Sequence, residues 1–481
     1  MVEHKLLACT ILNTTTTMAK LYIFGIGGTG SRVLRSFTMM MAAGVKLNAD
    51  EIVPIIIDPD VANADLTRTV QLMNNYRTLR SGLTFTPDTR ATFFRKEIAQ
   101  YIPNDILHIQ DTDDKTFKQF IDLPSMGRET QATMRMLFSE NNLNASMDVG
   151  FKGNPNIGSV VLNQIVASKQ FEDFANSFAQ GDKIFIVSSI FGGTGASGFP
   201  LLLKTLRTNK TMPNNDLINN AEIGAITMLP YFKLKTDEGS EIDSSTFISK
   251  TKSALAYYEN NISKNGSINA LYFLGDDIYN TYDNHEGGSM QKNNAHLIEF
   301  LAATAIADFC NKTHDQTVNK ELGLIDTDGS ITFASFYDEQ KRLLFNPLTE
   351  LAMTANCLTD KFDYFSSKSF DANNKHFKDL YSSPFMNKLI EICNAYKEWL
   401  EEMKANKRPL ILFNLDTKGN PFDVVEGGKV KKVMSIKSGY DLVTDRLNSA
   451  VKKCKCKTEE DKFLEMYHLA MEKLIEDKIN I

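Results

Sequence analysis

The chain has 481 residues, of which 42% are hydrophobic and 23% are charged, and its formal net charge at pH 7 is −6. This length is enough for two or three domains around a large core, and the composition is typical of a soluble globular protein. The acidic balance gives no sign of a nucleic-acid partner, and the short basic runs at residues 429–432 and 452–457 are typical of solvated faces.

The cysteines and the apolar runs indicate the cellular compartment of the protein. Six cysteines are scattered along the sequence, which is too sparse for a disulfide framework and predicts a reducing environment. No apolar run reaches the roughly 18 residues that span a bilayer. Residues 1–20 form an N-terminal arm without the layout of a signal peptide. We therefore expect a cytoplasmic protein without a membrane span.

The first predicted unit follows the arm. A buried-type strand at residues 21–24 leads into the loop Gly25-Ile-Gly-Gly-Thr-Gly-Ser31, and a helix is predicted to follow to about residue 43. A second apolar strand at residues 52–57 ends in Asp58-Pro-Asp60. This is a βαβ unit with a glycine loop at its first turn. The loop matches the dinucleotide fingerprint, and Asp58 stands where a ribose-binding acid would stand.

A second strand–glycine–helix pattern occurs further along the chain, after a predicted helix at residues 88–100. A strand at residues 183–189 is followed by Phe191-Gly-Gly-Thr-Gly-Ala-Ser-Gly198 and then by an apolar helical run. The start of a helix leaves backbone N–H groups free and its dipole favours an anion there. Glycine lets the backbone approach a ligand closely. The alternative for one such loop by itself is a plain tight turn.

The remaining elements predict an α/β fold with a doubly wound parallel sheet, followed by a smaller α+β C-terminal domain. Strands at residues 222–230 and 270–274 and a helix at residues 295–310 continue the alternation of the first half. From about residue 323 the strand–helix alternation ends, and strands are predicted at 330–336 and 409–414 among long helices. The predicted domains are the arm 1–20, a nucleotide-binding domain 21–312 and a C-terminal domain 313–481.

Two glycine loops at the same strand ends favour a triphosphate over a dinucleotide. A Rossmann site uses one such loop for its pyrophosphate, whereas two loops can grip a triphosphate with backbone amides from two sides. The sequence has no Gly-x4-Gly-Lys-Ser/Thr motif, so a P-loop NTPase is not supported.

At this point the chain resembles the tubulin and FtsZ superfamily, and more specifically its divergent bacterial tubulin-like members. Residues 191–200 are similar to the signature loop Gly-Gly-Gly-Thr-Gly-(small)-Gly, and residues 25–31 resemble the first nucleotide loop. Residues 124–128 resemble the end of the loop that faces the γ-phosphate, and residues 293–301 resemble the start of the central helix, where an Asn reads guanine. The resemblance covers residues 21–312. Phe191 and Ser197 replace two signature glycines, and we expect Ser197 to cap the following helix.

This resemblance implies a tubulin/FtsZ-like GTPase domain that binds GTP or GDP, with Mg²⁺ held through the phosphates and no confident metal ligand from the protein. It also implies head-to-tail self-association into filaments, with a further protein partner for the C-terminal helices left open. The nucleotide-binding residues that it implies are Gly25, Gly27, Gly28, Thr29, Asp58, Arg128, Gly192, Gly193, Thr194, Gly195, Ser197 and Asn294.

Hydrolysis is left open by the sequence. The family's catalytic loop pattern Asn-x-Asp-x-x-acid does not occur after the central helix, and the remaining candidates are Asp308, Asp315, Asp326 and Asp328. One alternative is therefore a nucleotide-binding switch or scaffold that does not hydrolyse. Another is a ThiF-type ATP-dependent adenylating enzyme. Residues 25–31, 57–60 and 63–68 resemble the ATP-binding start of that family. A NAD-dependent dehydrogenase is the last alternative.

Overall fold

The fold is that of a computed structural model, which describes residues 19–147, 150–151, 153–235, 247–278, 280–282, 288–312, 318–321, 329–368, 370, 377–417, 419–431 and 439–480. The strands in chain order are β1 Lys20–Ile26, β2 Glu51–Ile57, β3 Glu97–Ile98, β4 Lys183–Ser189, β5 Glu222–Met228, β6 Phe232–Leu234, β7 Ala270–Leu274, β8 Asn280–Tyr282, β9 Val318–Glu321, β10 Lys429–Val430 and β11 Ile479–Asn480. The helices are α1 Gly27–Ala43, α2 Ala64–Ser81, α3 Phe117–Phe120, α4 Arg128–Leu137, α5 Glu140–Asn144, α6 Pro155–Val161, α7 Lys169–Ser177, α8 Gly193–Thr208, α9 Asn215–Asn219, α10 Phe247–Tyr258, α11 Leu297–Asn311, α12 Asp338–Leu358, α13 Phe362–Ser366, α14 Pro384–Lys404, α15 Gly439–Val451 and α16 Glu459–Lys478.

Strand β1 lies near the centre of a parallel sheet with the strand order β3-β2-β1-β4-β5-β7-β9. All the pairings along this order are parallel, which confirms the predicted sheet. The order of the strands along the chain reverses between β1 and β4. In open sheets of this kind the ligand crevice lies at the carboxyl ends of the strands beside such a reversal.

Both faces of the sheet are buried, as a doubly wound fold requires. Alternate residues of β1 enter two different cores, because successive side chains of a strand point to opposite faces. Leu21 and Ile23 join the core that includes α1, α2 and α11, whereas Tyr22 and Phe24 join the core that includes α7 and α8. In the described part of the chain, none of the helices has the length and apolar character needed to cross a membrane.

The helices that follow β9 pack onto the α1 side of the sheet. Helix α12 contacts α1, and α14 contacts α2. Trp399 of α14 is fully buried, and its indole N–H donates to Ser36 Oγ of α1 at 3.1 Å. One apolar cluster thus includes residues from both sides of the predicted boundary at 312/313, and the division of the chain into domains stays a prediction.

The predicted helix at residues 88–100 is wrong. This fully described segment contains strand β3 and no helix, and the helix of the region is α2. Helix α2 begins where the Asn63 side chain accepts the N–H groups of Asp65 and Leu66, at 2.8 and 3.4 Å. That cap satisfies two of the helix's free donors. The sequence of α2 is largely polar and shows no clear helical repeat of apolar residues. The helix was therefore not predicted from the sequence.

The two strands predicted in the C-terminal part are much shorter in the structure. In the described part of the chain they reduce to isolated bridges, a parallel one between Ile331 and Leu410 and an antiparallel one between Phe413 and Val425. The turn Phe333–Ser335 interrupts the first of them. Among the described residues from 329 onward, the strands are β10 and β11, which form an antiparallel pair.

A substitution at Gly30 tests the close contact between β1 and α1. A Cβ atom on Gly30 would lie 2.4 Å from the carbonyl carbon of Gly25, which no side chain can do unless the strand moves. We expect Gly30→Ala to lower the free energy of unfolding by about 2–3 kcal/mol, the usual cost of overpacking. Urea unfolding followed by circular dichroism measures this change.

Gly28→Ala is the matched control, since a Cβ on Gly28 would meet only the Arg32 guanidinium, at 3.5 Å. We expect its free energy of unfolding to equal that of the unmodified protein within about 0.5 kcal/mol. Equal stability of the two variants would contradict the strand–helix contact.

Candidate functional site

Two helix N-termini meet where the strand order reverses. Strand β1 runs directly into α1 at Gly27, and β4 leads through a short loop to α8 at Gly193. Because β1 and β4 pair in parallel, both helices begin at the same edge of the sheet. A Cβ on Gly27 would lie 3.4 Å from Thr194 Cβ, so the two glycine loops are in direct contact.

Three of these glycines are required by the backbone. Gly27 has a φ of +73°, a left-handed conformation that other residues rarely adopt. A Cβ on Gly193 would lie 3.0 Å from Phe151 Cβ, and one on Gly195 would lie 2.6 Å from the Ser189 carbonyl oxygen. The second loop is therefore held between the end of β4 and the segment that carries Phe151.

Neither helix N-terminus is capped by its own sequence. Helices α1 and α8 have no side-chain cap and no acidic residue in the first turn. The N–H groups of a first turn have no partner within the helix, and the helix dipole adds positive potential there. Two such ends side by side favour a polyanion, and phosphate is an anion that helix N-termini bind in many proteins.

The two loops line one cleft, with an open space of about 990 Å³ including its mouth. This cleft brings together most of the predicted nucleotide-binding residues, namely Gly27, Gly28, Thr29, Asp58, Gly192, Gly193, Thr194 and Gly195. Asp60 and Asn293 also line it, together with polar residues that the sequence did not single out.

Four predicted residues do not line the cleft. Gly25 packs against Gly30 behind the first loop. Ser197 lies inside α8 and its hydroxyl donates to the Gly193 carbonyl at 2.7 Å, so the predicted cap is wrong and Gly192 is the N-cap residue. Arg128 is exposed at the start of α4, and Asn294 is exposed before α11. The nucleotide-binding roles of these residues stay predictions.

The catalytic candidates fall into two groups. Asp308 lies on α11, where it accepts the Tyr272 hydroxyl at 2.6 Å and pairs with Lys312. Asp315, Asp326 and Asp328 lie outside the described residues. Within the residues that the structure does describe, no three His, Cys, Asp or Glu side chains cluster as a metal site would require.

Arg32 is the main cleft residue that the sequence analysis missed. Its guanidinium is buried, and Nε donates to Glu299 Oε1 at 2.5 Å while Nη1 donates to Asp65 Oδ2 at 3.2 Å. The remaining group, Nη2, donates to Tyr231 at 3.1 Å and to the Thr29 hydroxyl at 3.4 Å. An arginine inside the apolar stretch of α1 was the available signal, because a charged group is rarely buried without partners.

The Arg32 network reaches the start of α11. Glu299 accepts the His296 N–H at 3.0 Å, and His296 Nδ1 accepts the Ile298 N–H at 3.1 Å. Burial lowers the pKa of His296 to about 3, so the imidazole is neutral and can accept at Nδ1. His296 is therefore the N-cap of α11, and its position is tied to the first glycine loop through Glu299 and Arg32.

Asp58 and Asp60 follow β2 and are both buried beside the cleft. Asp58 Oδ1 accepts the Asp60 N–H at 3.1 Å, and Asp60 Oδ2 accepts the Gly288 N–H at 2.8 Å. Burial raises the pKa of Asp58 to about 7, although the hydrogen bond from Asp60 acts in the opposite direction. Near neutral pH the Asp58 carboxyl can thus hold either a proton or a negative charge.

Comparisons with known proteins give structural neighbours only. No protein-family model matches the sequence, and no curated protein matches it significantly. A CetZ from Methanosaeta thermophila is 16% identical, with a TM-score of 0.28 over 54% of this chain and 46% of its own. The GDP-bound CetZ1 monomer from Haloferax volcanii is 15% identical, with a TM-score of 0.30 over 62% of each chain. An empty FtsZ dimer from M. jannaschii is 15% identical, with a TM-score of 0.25 over 54% of this chain and 46% of its own.

These neighbours are members of the tubulin/FtsZ superfamily, the one whose motifs the sequence resembles. The chain spans less than two thirds of the length of each of them. The overall superpositions are weak, so the function proposed below is drawn from the residues of the cleft and from the sequence motifs.

Asp58→Asn tests the buried carboxyl. The folded-state pKa of Asp58 is about 7, whereas an unfolded Asp titrates near pH 4. Proton binding to Asp58 therefore stabilises the fold below pH 4, and this contribution is lost as the pH rises to 7. We expect the variant to become more stable than the unmodified protein across that window, by roughly 4 kcal/mol at most above pH 7. Urea unfolding at several pH values between 4 and 8 measures the difference, and parallel profiles for the two proteins would contradict it.

Proposed function

We propose that this protein binds GTP and GDP in the cleft and self-associates head to tail in a nucleotide-dependent way, as a cytoplasmic tubulin/FtsZ-like protein. The observation that carries the nucleotide part is the meeting of two uncapped helix N-termini at the β1–β4 reversal. A single N-terminus binds one phosphate group well, whereas two in contact can hold the consecutive charges of a phosphate chain.

Backbone amides do most of the binding in this proposal. The first turns of α1 and α8 offer the N–H groups of Gly28 and Thr29 on one side and of Thr194 and Gly195 on the other. Hydroxyls of the two threonines add further donors. Arg32 holds the Thr29 hydroxyl in place, since its own donors are shared among buried partners.

The cleft also fits a magnesium–nucleotide complex. Mg²⁺ prefers oxygen ligands and keeps several waters, so phosphate oxygens and one or two carboxylates suffice to hold it. Asp58 and Asp60 are the carboxylates that line the cleft. When bound, the cation would reduce the charge repulsion along the phosphate chain, and it would favour the ionised form of Asp58.

The choice of guanine and the head-to-tail assembly are supported by the motif resemblance. The signature-like loop begins α8, the first glycine loop begins α1, and the two come together in space. Asn293 lines the cleft near the start of α11, beside the position from which the family reads guanine, and it replaces Asn294 as the proposed base contact. A contact of head-to-tail type extends into filaments when it does not close.

A non-hydrolysing nucleotide switch is the second candidate, and the position of Asp308 favours it. An acid that activates water needs a carboxylate free to face the nucleotide of a neighbouring subunit. Asp308 is instead held by Tyr272 and Lys312. A ThiF-type enzyme has less support, because none of the described cysteines lines the cleft.

Gly28→Ala tests the phosphate site without disturbing the fold. The added methyl group would project at the start of α1, where the phosphate chain must approach the amides most closely. We expect at least a tenfold rise in the Kd for a fluorescent N-methylanthraniloyl GTP analogue, measured by fluorescence titration. The matching ATP analogue should bind at least tenfold more weakly than the GTP analogue to the unmodified protein.

Lys210→Ala is the comparison variant, since Lys210 is exposed and does not line the cleft. Its Kd for the GTP analogue should equal that of the unmodified protein. Unchanged binding by Gly28→Ala would mean that the phosphates lie elsewhere, and tighter binding of the ATP analogue with pyrophosphate release would favour the adenylating enzyme.

Light scattering tests the assembly. We expect scattering to rise when GTP and Mg²⁺ are added to the purified protein, and to stay low with GDP and Mg²⁺. Intact nucleotide binding without any GTP-dependent particles would remove the assembly part of the proposal. Phosphate release measured in the same samples separates the two candidates, because a switch retains its nucleotide and releases almost no phosphate.

A further inference from the structure

A second cavity lies beside the nucleotide cleft, on the other side of Phe191 and Gly192, which line both. This groove runs between α6, α8 and α10 and has an open space of about 1110 Å³ including its mouth. Its open space is similar to that of the cleft.

The walls of the groove are largely apolar. Ala254 and Tyr257 line it from α10, and Pro200 and Leu201 line it from α8. The Tyr257 side chain is about half exposed, at 51%. An exposed aromatic ring beside an aliphatic wall is well suited to stack against a flat apolar ligand.

Two polar groups at the groove lack a hydrogen-bond partner that they would normally have; one belongs to the half-buried Ala196 and the other is the buried Tyr258 hydroxyl. Pro200 is inside α8 and has no N–H, so the Ala196 carbonyl loses the donor it would have in a regular helix. The Tyr258 hydroxyl is buried and has no hydrogen-bond partner in the described part of the chain. Unsatisfied buried polar groups are costly, and a ligand that hydrogen-bonds to them recovers part of that cost.

The charged side chains in the described lining of the groove are both lysines. Lys204 of α8 and Lys250 of α10 both line it, and none of its described lining residues is acidic. Lys250 Nζ donates to the Gly153 carbonyl at 2.8 Å, which holds this ammonium beside the groove. Lys204 is exposed and pairs with no carboxylate among the described residues.

We propose that this groove is a second ligand site for a small aromatic anion that carries a hydroxyl or N–H donor. The apolar walls and Tyr257 receive the ring, Lys204 receives the negative charge, and the Tyr258 hydroxyl and the Ala196 carbonyl receive the donor. The site is separate from the nucleotide cleft, and the inference does not depend on the proposed nucleotide. Because Phe191 and Gly192 form a wall common to both cavities, a ligand in one cavity contacts the same loop as a ligand in the other.

The probe 8-anilinonaphthalene-1-sulfonate has all three features, namely an aromatic body, a sulfonate and one N–H. We expect it to bind the full-length, nucleotide-free protein at one site, as measured by fluorescence titration and by calorimetry. Ala254→Trp fills the groove and should abolish this site. Lys204→Glu should weaken the probe at least tenfold, whereas Lys210→Glu, at an exposed lysine outside the groove, should leave its Kd unchanged.

A neutral probe and a second variant test the chemical class. N-phenyl-1-naphthylamine has the same rings and N–H without the sulfonate, and we expect it to bind at least tenfold more weakly. Tyr258→Phe should be at least as stable as the unmodified protein, because it removes a buried hydroxyl that has no partner among the described residues. Unchanged probe binding in Ala254→Trp would overturn the site, and equal binding of the two probes would overturn the anionic class.

A second copy of the chain is the other possible occupant, and sedimentation velocity distinguishes it. If Ala254→Trp changes the oligomeric state of the nucleotide-free protein and the probe competes with that association, the groove is an interface and the proposal is wrong. The expected result is an unchanged sedimentation coefficient together with the loss of probe binding.

Discussion

The contact between the two glycine loops is the constraint on which the rest of the site depends. Two positive helix ends repel each other when they are brought together, and neither helix has a side-chain cap or an acidic residue in its first turn. The fold holds them there through backbone contacts that only glycine permits, at Gly30 against Gly25 and at Gly195 against Ser189. These contacts keep the two helix N-termini close together, in an arrangement that favours binding of an anionic ligand.

A buried ionic network links the helix that follows the first glycine loop to helices that are distant in the sequence. Arg32 pairs with Glu299 at the start of α11, while Arg35 and Arg68 pair with Glu402 of α14, each at 2.6 Å. Such pairs contribute little net stability, because the cost of removing charges from water offsets their attraction. Their effect is on geometry: α1, α2, α11 and α14 cannot shift independently without leaving a charge unpaired. A change at the glycine loop therefore has a direct path to the C-terminal helices.

The sequence predicted the sheet and its glycine loops well, because each depends on a local pattern. The apolar runs of β1 and β4 and the glycines after them are visible without tertiary structure. Arg32 and Asn63 could not be assigned in this way, since their roles come from partners far away in the chain. Ser197 was misplaced for a related reason: whether a serine caps a helix or lies in its second turn depends on where the helix starts. The glycines alone leave that point undetermined.

Phe191 departs from the family motif, and its side chain both packs in the core and lines the two cavities. The family pattern has a glycine at this position, and the phenylalanine is buried against Phe232 and Phe247, with ring centroids 5.4 and 5.2 Å away. This packing fixes the start of the second loop to β6 and α10, which a glycine could not do. The same side chain separates the cleft from the groove and lines both. Any movement of α10 that follows occupation of the groove must displace this ring, and with it the N-terminal end of α8 that faces the cleft.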